Sequence, residues 1–425
     1  MTDRIIELLK HSGADAWEVT SLHEEGWEFY FIKHDLDQNR AKKTDGIRIT
    51  VYKNSEDGNA MGSASMEIAP TESEENVKKA IADLIYRASL VQNKIYALNP
   101  KKDAETEALP IAPVAKTARD FLETMNSIHE TETEDLNSYE IFTSLITRRY
   151  ANSAGADFTE TYPKSMTEVV VNARKDDHEI ELYRLYDSGT CDKEGLKRDI
   201  EETLSFGHDR LSAEATPQMT DASVIFSTDA AVPIYRYFLD NMSTAFVFRK
   251  MNDWQLEKNY APEAEGDAVT LRALRYLANS SDNHAYDSEG APVRDLTIIE
   301  NNVPKAYWGG RQFSQYLGLD DTFRVTNWEA AGGHKSADEI RTPGTLEVVE
   351  FSDFQVDSVT GDLFGEIRLA YLYDENGRRP VSGGSVSGSM KQLVSHMTLS
   401  KEMRQYDNVR IPSVTRLDGV TVTGK

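Results

Sequence analysis

The sequence predicts an α+β protein of two domains, with antiparallel sheets, helices packed on them and a strand-rich C-terminal half. Three observations carry this. Period-two runs recur along the chain, as at 363–373, where Leu363, Gly365, Ile367, Leu369, Tyr371 and Tyr373 share one face and Glu366 and Arg368 take the other. Helical stripes of apolar residues separate such runs. A joint at Thr216-Pro217 divides the chain into 1–216 and 217–425, with a proline-rich candidate linker at 99–113 inside the first part.

From the N-terminus, Ile5, Ile6, Leu8 and Leu9 predict an amphipathic helix capped near Thr2. Its acidic residues, Asp3 and Glu7, make it neither a signal peptide nor an anchor. Strand patterns follow at 17–21, 27–33 and 47–53, the last behind an Asp45-Gly46 turn signal, and suggest an antiparallel sheet. Pro70 and the pair Thr71 and Glu74 open a helix that buries Val77, Ile81, Leu84, Ile85 and Ala88. A helix at 117–128, strands at 139–150 and 166–174 around a turn at 151–157, an apolar run at 180–186 and a helix at 193–206 complete the first part.

The second part begins with a short buried strand at 223–227 and a helix with Pro233 in its first turn. A turn at Asp287-Ser-Glu-Gly290 and a strand at 296–300 lead into a final third made mostly of strands. Asn376-Gly377 suits a hairpin, because both residues tolerate positive φ. Gly383, Gly384 and Gly388 then predict a loop running into a helix with Met390, Leu393, Val394 and Met397 on one face, capped by Ser387 or Ser389. Such a junction can bind an anion, but a phosphate-binding loop needs a lysine directly after its last glycine, and Ser389 and Met390 intervene before Lys391.

Composition narrows the function. With 47 basic and 71 acidic residues the net charge is −24, which opposes direct binding to nucleic acid or an anionic membrane. No apolar run approaches the ~20 residues of a membrane span. A single cysteine, Cys191, excludes an intrachain disulfide and fits a reducing, cytoplasmic location.

In the C-terminal third, Asp287-Ser-Glu-Gly290, Arg324-Val-Thr-Asn327 with Gly332-Gly333, Thr360-Gly361-Asp-Leu-Phe364, Gly377-Arg-Arg-Pro-Val381, Ser387-Gly388 and Pro412-Ser413 appear in an order that resembles the TldD/PmbA family. Asp45-Gly46-Ile-Arg-Ile49, Gly62-Ser-Ala-Ser65 and Asn152-Ser-Ala-Gly155 extend the resemblance upstream. It implies a cytoplasmic, dimeric, two-domain α+β protein of a system that degrades or trims unfolded peptides. The TldD-like branch carries a zinc motif, His-Glu-x-x-x-His, on the helix after the first strand of the second domain, with a cysteine ligand further on. The PmbA branch, also called TldE, lacks the motif and pairs with the zinc-bearing subunit.

Zinc chemistry decides between the branches. Two imidazoles and a third ligand would hold the metal, and a glutamate would take a proton from its water. The corresponding helix, residues 231–246, contains no histidine, none occurs from 209 to 283, and no cysteine follows Cys191. His23-Glu24, His129-Glu130 and His178-Glu179 have no second histidine at the required spacing. His284, between Asp282 and Asp287, is the most ligand-like remaining cluster, and its polar surroundings read as a solvated loop. Cys191 would need a partner base to act as a nucleophile.

The expectation is therefore a chain without catalytic or metal-binding residues or a cofactor of its own. It would be the PmbA/TldE-like subunit of a TldD-type metallopeptidase complex, with zinc in the partner subunit and unfolded peptide as substrate. Arg324, Asn327 and His334 are its candidate substrate-binding residues, and Arg324 with Asn327 could equally tie a loop. The alternative is a non-enzymatic regulatory homodimer of the DNA gyrase modulator type.

Overall fold

The computed structural model describes residues 1–105 and 111–424. Residues 106–110 of the expected linker, Pro110 included, and Lys425 lie outside the described residues.

Seven strands form one antiparallel sheet: β1 (Ala16–Ile32), β2 (Asp35–Asn54), β3 (Ala60–Ile68), β4 (Asn93–Lys94), β5 (Glu134–Asn152), β6 (Asp157–Lys175) and β7 (His178–Ser188), in the order β4-β3-β2-β1-β5-β6-β7. Four helices, α1 (Thr2–Lys10), α2 (Glu74–Ser89), α3 (Val114–Met125) and α4 (Lys193–Leu211), cover one face only. Under α1 and α2 lie Trp17, Val19, Ile47, Ile49 and Val51, and under α3 and α4 lie Tyr139, Ile141, Val169, Val171 and Leu182. Alternation puts the intervening residues on the opposite, helix-free face.

Several local expectations change in three dimensions. The runs 17–21 and 27–33 belong to one strand, because β1 pairs with both β2 and β5 straight through Gly26. A Cβ at Gly26 would stand 2.4 Å from the Thr143 carbonyl oxygen, so this register needs glycine. The reversal falls at Lys33, with φ +53°, and not at Asp45-Gly46, which lies inside β2. Ser73, not Thr71, caps α2 by accepting the Asn76 N–H at 3.2 Å.

The remaining strands are β8 (Glu214–Ala215), β9 (Met219–Ser227), β10 (Leu271–Leu274), β11 (Leu296–Glu300), β12 (Val303–Pro304), β13 (Asn327–Ala330), β14 (Leu346–Val356), β15 (Asp362–Asp374), β16 (Gly377–Ser382), β17 (Ser385–Ser389), β18 (Met397–Leu399), β19 (Met403–Tyr406), β20 (Val409–Pro412) and β21 (Val414–Thr423). The helices are α5 (Val232–Asn241), α6 (Thr244–Phe248), α7 (Arg311–Tyr316), α8 (Ala337–Ile340) and α9 (Met390–Leu393). β14 pairs with β9 on one side and with β15 on the other, which closes β14, β9, β21, β17 and β15 into a barrel. A second sheet, β12-β11-β10-β13-β20-β19, packs on the same core.

The glycine-rich stretch differs from expectation. After the β15–β16 hairpin, Gly383 and Gly384 both adopt positive φ, and the chain forms a strand, β17, before any helix begins. Gly388 is in that strand, and α9 is one helical turn continued by a short 3-10 turn. Pairing of β17 with β15 and β21 holds the chain extended through Ser389, and the expected helical stripe then forms as these short turns over 390–396.

The two parts share packing. Val349, Leu369 and Tyr371 of the C-terminal part join the core under α3 and α4, and the Tyr371 hydroxyl donates to Asp209 at 2.5 Å. Arg184 meets Glu350 at 3.0 Å, and Arg404 meets Asp199 and Glu202 at 3.0 and 2.8 Å.

Candidate functional site

The helix-free face of the seven-stranded sheet builds the site in rows of directly opposed residues. Glu18 stands opposite Asn152, Leu22 opposite Arg148, and Glu24 opposite Ile146. Across the next ladder Tyr150 faces Phe158, Arg148 faces Glu160, Ile146 faces Tyr162 and Ser144 faces Lys164. One end of this face is roofed by the loop between β10 and β11. There Tyr286 stacks on Phe158 at 4.0 Å, and the Glu289 carbonyl accepts from the Tyr150 hydroxyl at 3.1 Å.

Buried polar groups fasten the roof. Glu18 accepts from both the Tyr52 and Tyr150 hydroxyls, and burial still pushes its carboxyl above the usual range. Asp287 is only 2% exposed and accepts the N–H groups of Glu289, Ala291 and Arg324 at 2.8, 2.9 and 2.7 Å. Burial outweighs these donors and pushes its carboxyl up to about 6. Arg148, itself buried, pairs with Glu160 and donates to the carbonyls of Tyr286 and Asp287 at 2.7 and 3.2 Å.

His284 sits where the roof ends and the open face begins. Its ring meets Tyr162 edge-on at 4.3 Å, Nδ1 lies 3.5 Å from Glu160, and Nε2 lies 3.8 Å from Asp282. Nδ1 is buried without a hydrogen-bond partner among the described residues. The segment expected to be a solvated loop is thus folded onto the sheet, because Arg148 and Glu160 hold its backbone. Burial works to raise the Asp282 carboxyl, but the neighbouring His284 ring, the Lys164 ammonium and the Asn408 amide, which donates to it at 2.8 Å, bring it below the usual range. The junction gathers carboxylates, an imidazole and an ammonium, groups able to hydrogen bond a polar chain.

Of the three substrate-binding candidates, Arg324 belongs to this junction. Its guanidinium binds Glu289 at 2.6 and 3.0 Å, and its side chain remains half exposed. Asn327 is fully buried, with its amide donating to Asn283 at 3.0 Å and to the Asp282 carbonyl at 3.2 Å, and its oxygen accepting from Ser280 at 2.5 Å. A ligand would have to displace one of those bonds. His334 is exposed on the segment beyond β13, and the structure does not bring it to Arg324. Cys191 packs near the Thr124 hydroxyl at 3.6 Å, and burial pushes its thiol up to about 11, away from the reactive thiolate. Sequence reading missed Glu18, Arg148, Glu160 and Tyr162, whose grouping follows only from strand register. Their alternation within each strand was the one available signal.

The helix on which the family resemblance would place zinc ligands is α5. Ile234, Tyr235, Tyr237, Phe238 and Leu239 on it are buried, and the Tyr235 hydroxyl is bound to Thr415 at 2.6 Å. This donor set does not fit zinc, since α5 supplies neither imidazole nor thiolate and its inward face is filled by hydrocarbon. Among the described residues, no group of three or more His, Cys, Asp and Glu side chains is placed to hold a metal ion.

Comparison with known proteins gives the fold its relatives. Residues 219–424 match the family described as the PmbA/TldA metallopeptidase C-terminal domain. A curated relative from Haemophilus influenzae, named metalloprotease PmbA homolog, is 24% identical over 262 residues. That match spans 55% of this chain and only 56% of the relative. TldE from Thermococcus kodakarensis superposes with a TM-score of 0.80 at 15% identity, over 99% of this chain and 100% of that one. A Thermotoga maritima protein described as a candidate modulator of a DNA gyrase gives 0.78 at 16% identity, over 99% and 98%. At such identities the superpositions show a shared fold.

Proposed function

From a chain that belongs to the PmbA/TldD family through its residues 219–424, we propose a PmbA/TldE-like subunit that joins a zinc-bearing TldD-like subunit in the cytoplasm and holds unfolded peptide for it to cleave. The observation that carries this reading is α5, where aromatic and aliphatic side chains fill the space that metal ligands would need. Its role in such a complex is structural and substrate-holding.

The sheet supports both functions. Beyond His284 the helix-free face is open and displays Ile32 and Tyr183, 60% and 53% exposed, in one row with Ser138 and Val170. Leu185, 46% exposed, follows in the next row beside Glu168. A face of this kind suits a partner subunit. At its margin β7 is an edge strand of 11 residues, unpaired on its outer side among the described residues. An extended peptide can add there through main-chain hydrogen bonds, with little dependence on sequence. A segment already paired on both sides within a folded protein cannot add there.

The test is degradation of an unfolded peptide by this protein, by a zinc-bearing relative from the same genome and by the two mixed, each with and without chelator. The expected outcome is cleavage by the mixture that chelator abolishes and that exceeds cleavage by the relative alone. Chelator-sensitive cleavage by the isolated chain would overturn the reading. No effect in any mixture would favour the alternative, a homodimeric regulatory protein of the DNA gyrase modulator type.

A further inference from the structure

β15 changes partners midway. Residues 370–374 pair with β16 and 362–366 with β17, and at the switch Ile367 exchanges hydrogen bonds with Gly383 and Gly384 at 3.1 and 3.0 Å. Both glycines have positive φ, +83° and +79°. A Cβ on Gly384 would come within 2.0 Å of the Thr423 carbonyl oxygen, so the floor must remain bare backbone. Over that floor lies an open groove of about 380 Å³, lined by Ser352, Phe364, Glu366, Arg368 and Ser385 as well as by the glycines.

The walls differ in chemistry. Phe364 is 48% exposed and offers an aromatic surface on the strand face it shares with Arg368. The Glu366 carboxylate is engaged by the Ser352 hydroxyl at 2.8 Å. Arg368 has no carboxylate, hydrogen-bond acceptor or ring partner among the described residues, unlike Arg341, Arg404 and Arg410, which are all ion-paired. In a chain with 71 acidic residues against 47 basic ones, an arginine left free beside a groove is available to an outside anion.

We infer that this groove binds the C-terminal carboxylate of a peptide, with Arg368 taking the carboxylate and Phe364 the apolar side chain of the last residue. Bare backbone lets the chain end approach closely, and the Ser352 and Ser385 hydroxyls flank it. The fork of a guanidinium matches a planar carboxylate, which separates this ligand from an amide or an ester. The inference rests on the peptide-handling reading above, but its test needs neither partner nor cleavage.

The probe is a fluorescein-labelled pentapeptide of alanines ending in leucine, titrated with the isolated full chain and followed by anisotropy. The same peptide with a C-terminal amide and free leucine as competitor form the other arms. The acid form should bind at least about tenfold more tightly than the amide. Arg368→Gln should remove that difference, and Phe364→Ser should weaken the acid form while keeping the preference. Competition by free leucine would assign the site to any α-carboxylate beside an apolar side chain, and its failure would assign it to peptide ends. Equal binding of acid and amide, unchanged discrimination in Arg368→Gln, or no binding of the acid form would overturn the inference. Equal binding would leave peptide handling intact, whereas failure of the mixed-subunit cleavage assay would count against that broader reading alone. Both substitutions lie at exposed positions, and unchanged thermal unfolding would show that the variants fold.

Discussion

Asp287 links the roof over the sheet to pH. Its carboxyl is pushed up to about 6 by burial, against an ordinary value of 3.8. A raised value means that the folded protein holds this proton more tightly than the unfolded chain. The stability tied to it is fully present below pH 3.8 and is lost as pH rises through about 6. A shift of that size corresponds to roughly 3 kcal/mol. Urea unfolding at pH 4.5 and 7.5 should therefore show a fall in wild-type stability that is smaller in Asp287→Asn. The variant should also be less stable at the lower pH, because an amide nitrogen would face the Arg324 N–H that now donates to Oδ2. Buried Glu18 shifts in the same direction and contributes to the pH slope of wild type and variant alike.

At the level of elements, β7 is the strand on which peptide binding would depend. A proline placed where the β7 N–H points away from β6 removes a donor without breaking the ladder. Such a variant should keep its fold and lose roughly tenfold in affinity for an unfolded peptide, as the loss of one or two hydrogen bonds implies. Unchanged binding would exclude this edge. α5 offers a contrasting case. Phe238 is completely buried among Trp254, Tyr260 and Tyr237, so Phe238→Ala should lower unfolding stability by roughly 3–5 kcal/mol. Equilibrium denaturation measures that cost directly, and a loss below about 1 kcal/mol would mean that α5 is not the core element its packing shows.

Across the whole molecule, the helices on one face of the first sheet leave the other face to the roofing loop at one end and to solvent at the other. Replacing Ile32 and Tyr183 together by glutamate should abolish assembly with the zinc-bearing relative on a sizing column. The melting temperature of the isolated chain should move little, since both residues are more than half exposed. Retained assembly would place the partner elsewhere. Among the described residues no helix is long and apolar enough to cross a membrane.

The sequence by itself determined the α+β class, the strand-rich second half, most helices and the lack of histidine on α5, because period, turn residues and ligand type are local properties. It also carried the ordered landmarks that pointed to the family. Only the tertiary structure decided that Glu18, Tyr150, Glu160, His284 and Asp287 meet, since strand register and the docking of a loop are set by pairing between distant residues. It likewise made Gly383 and Gly384 a switch of strand partners and put Gly388 inside a strand, because β17 is stabilised by β15 and β21, which no local pattern reveals. Asn327 shows the same limit. Its residue type suits either a ligand or a loop, and only its burial and its bonds to Ser280, Asn283 and Asp282 show that it ties a loop.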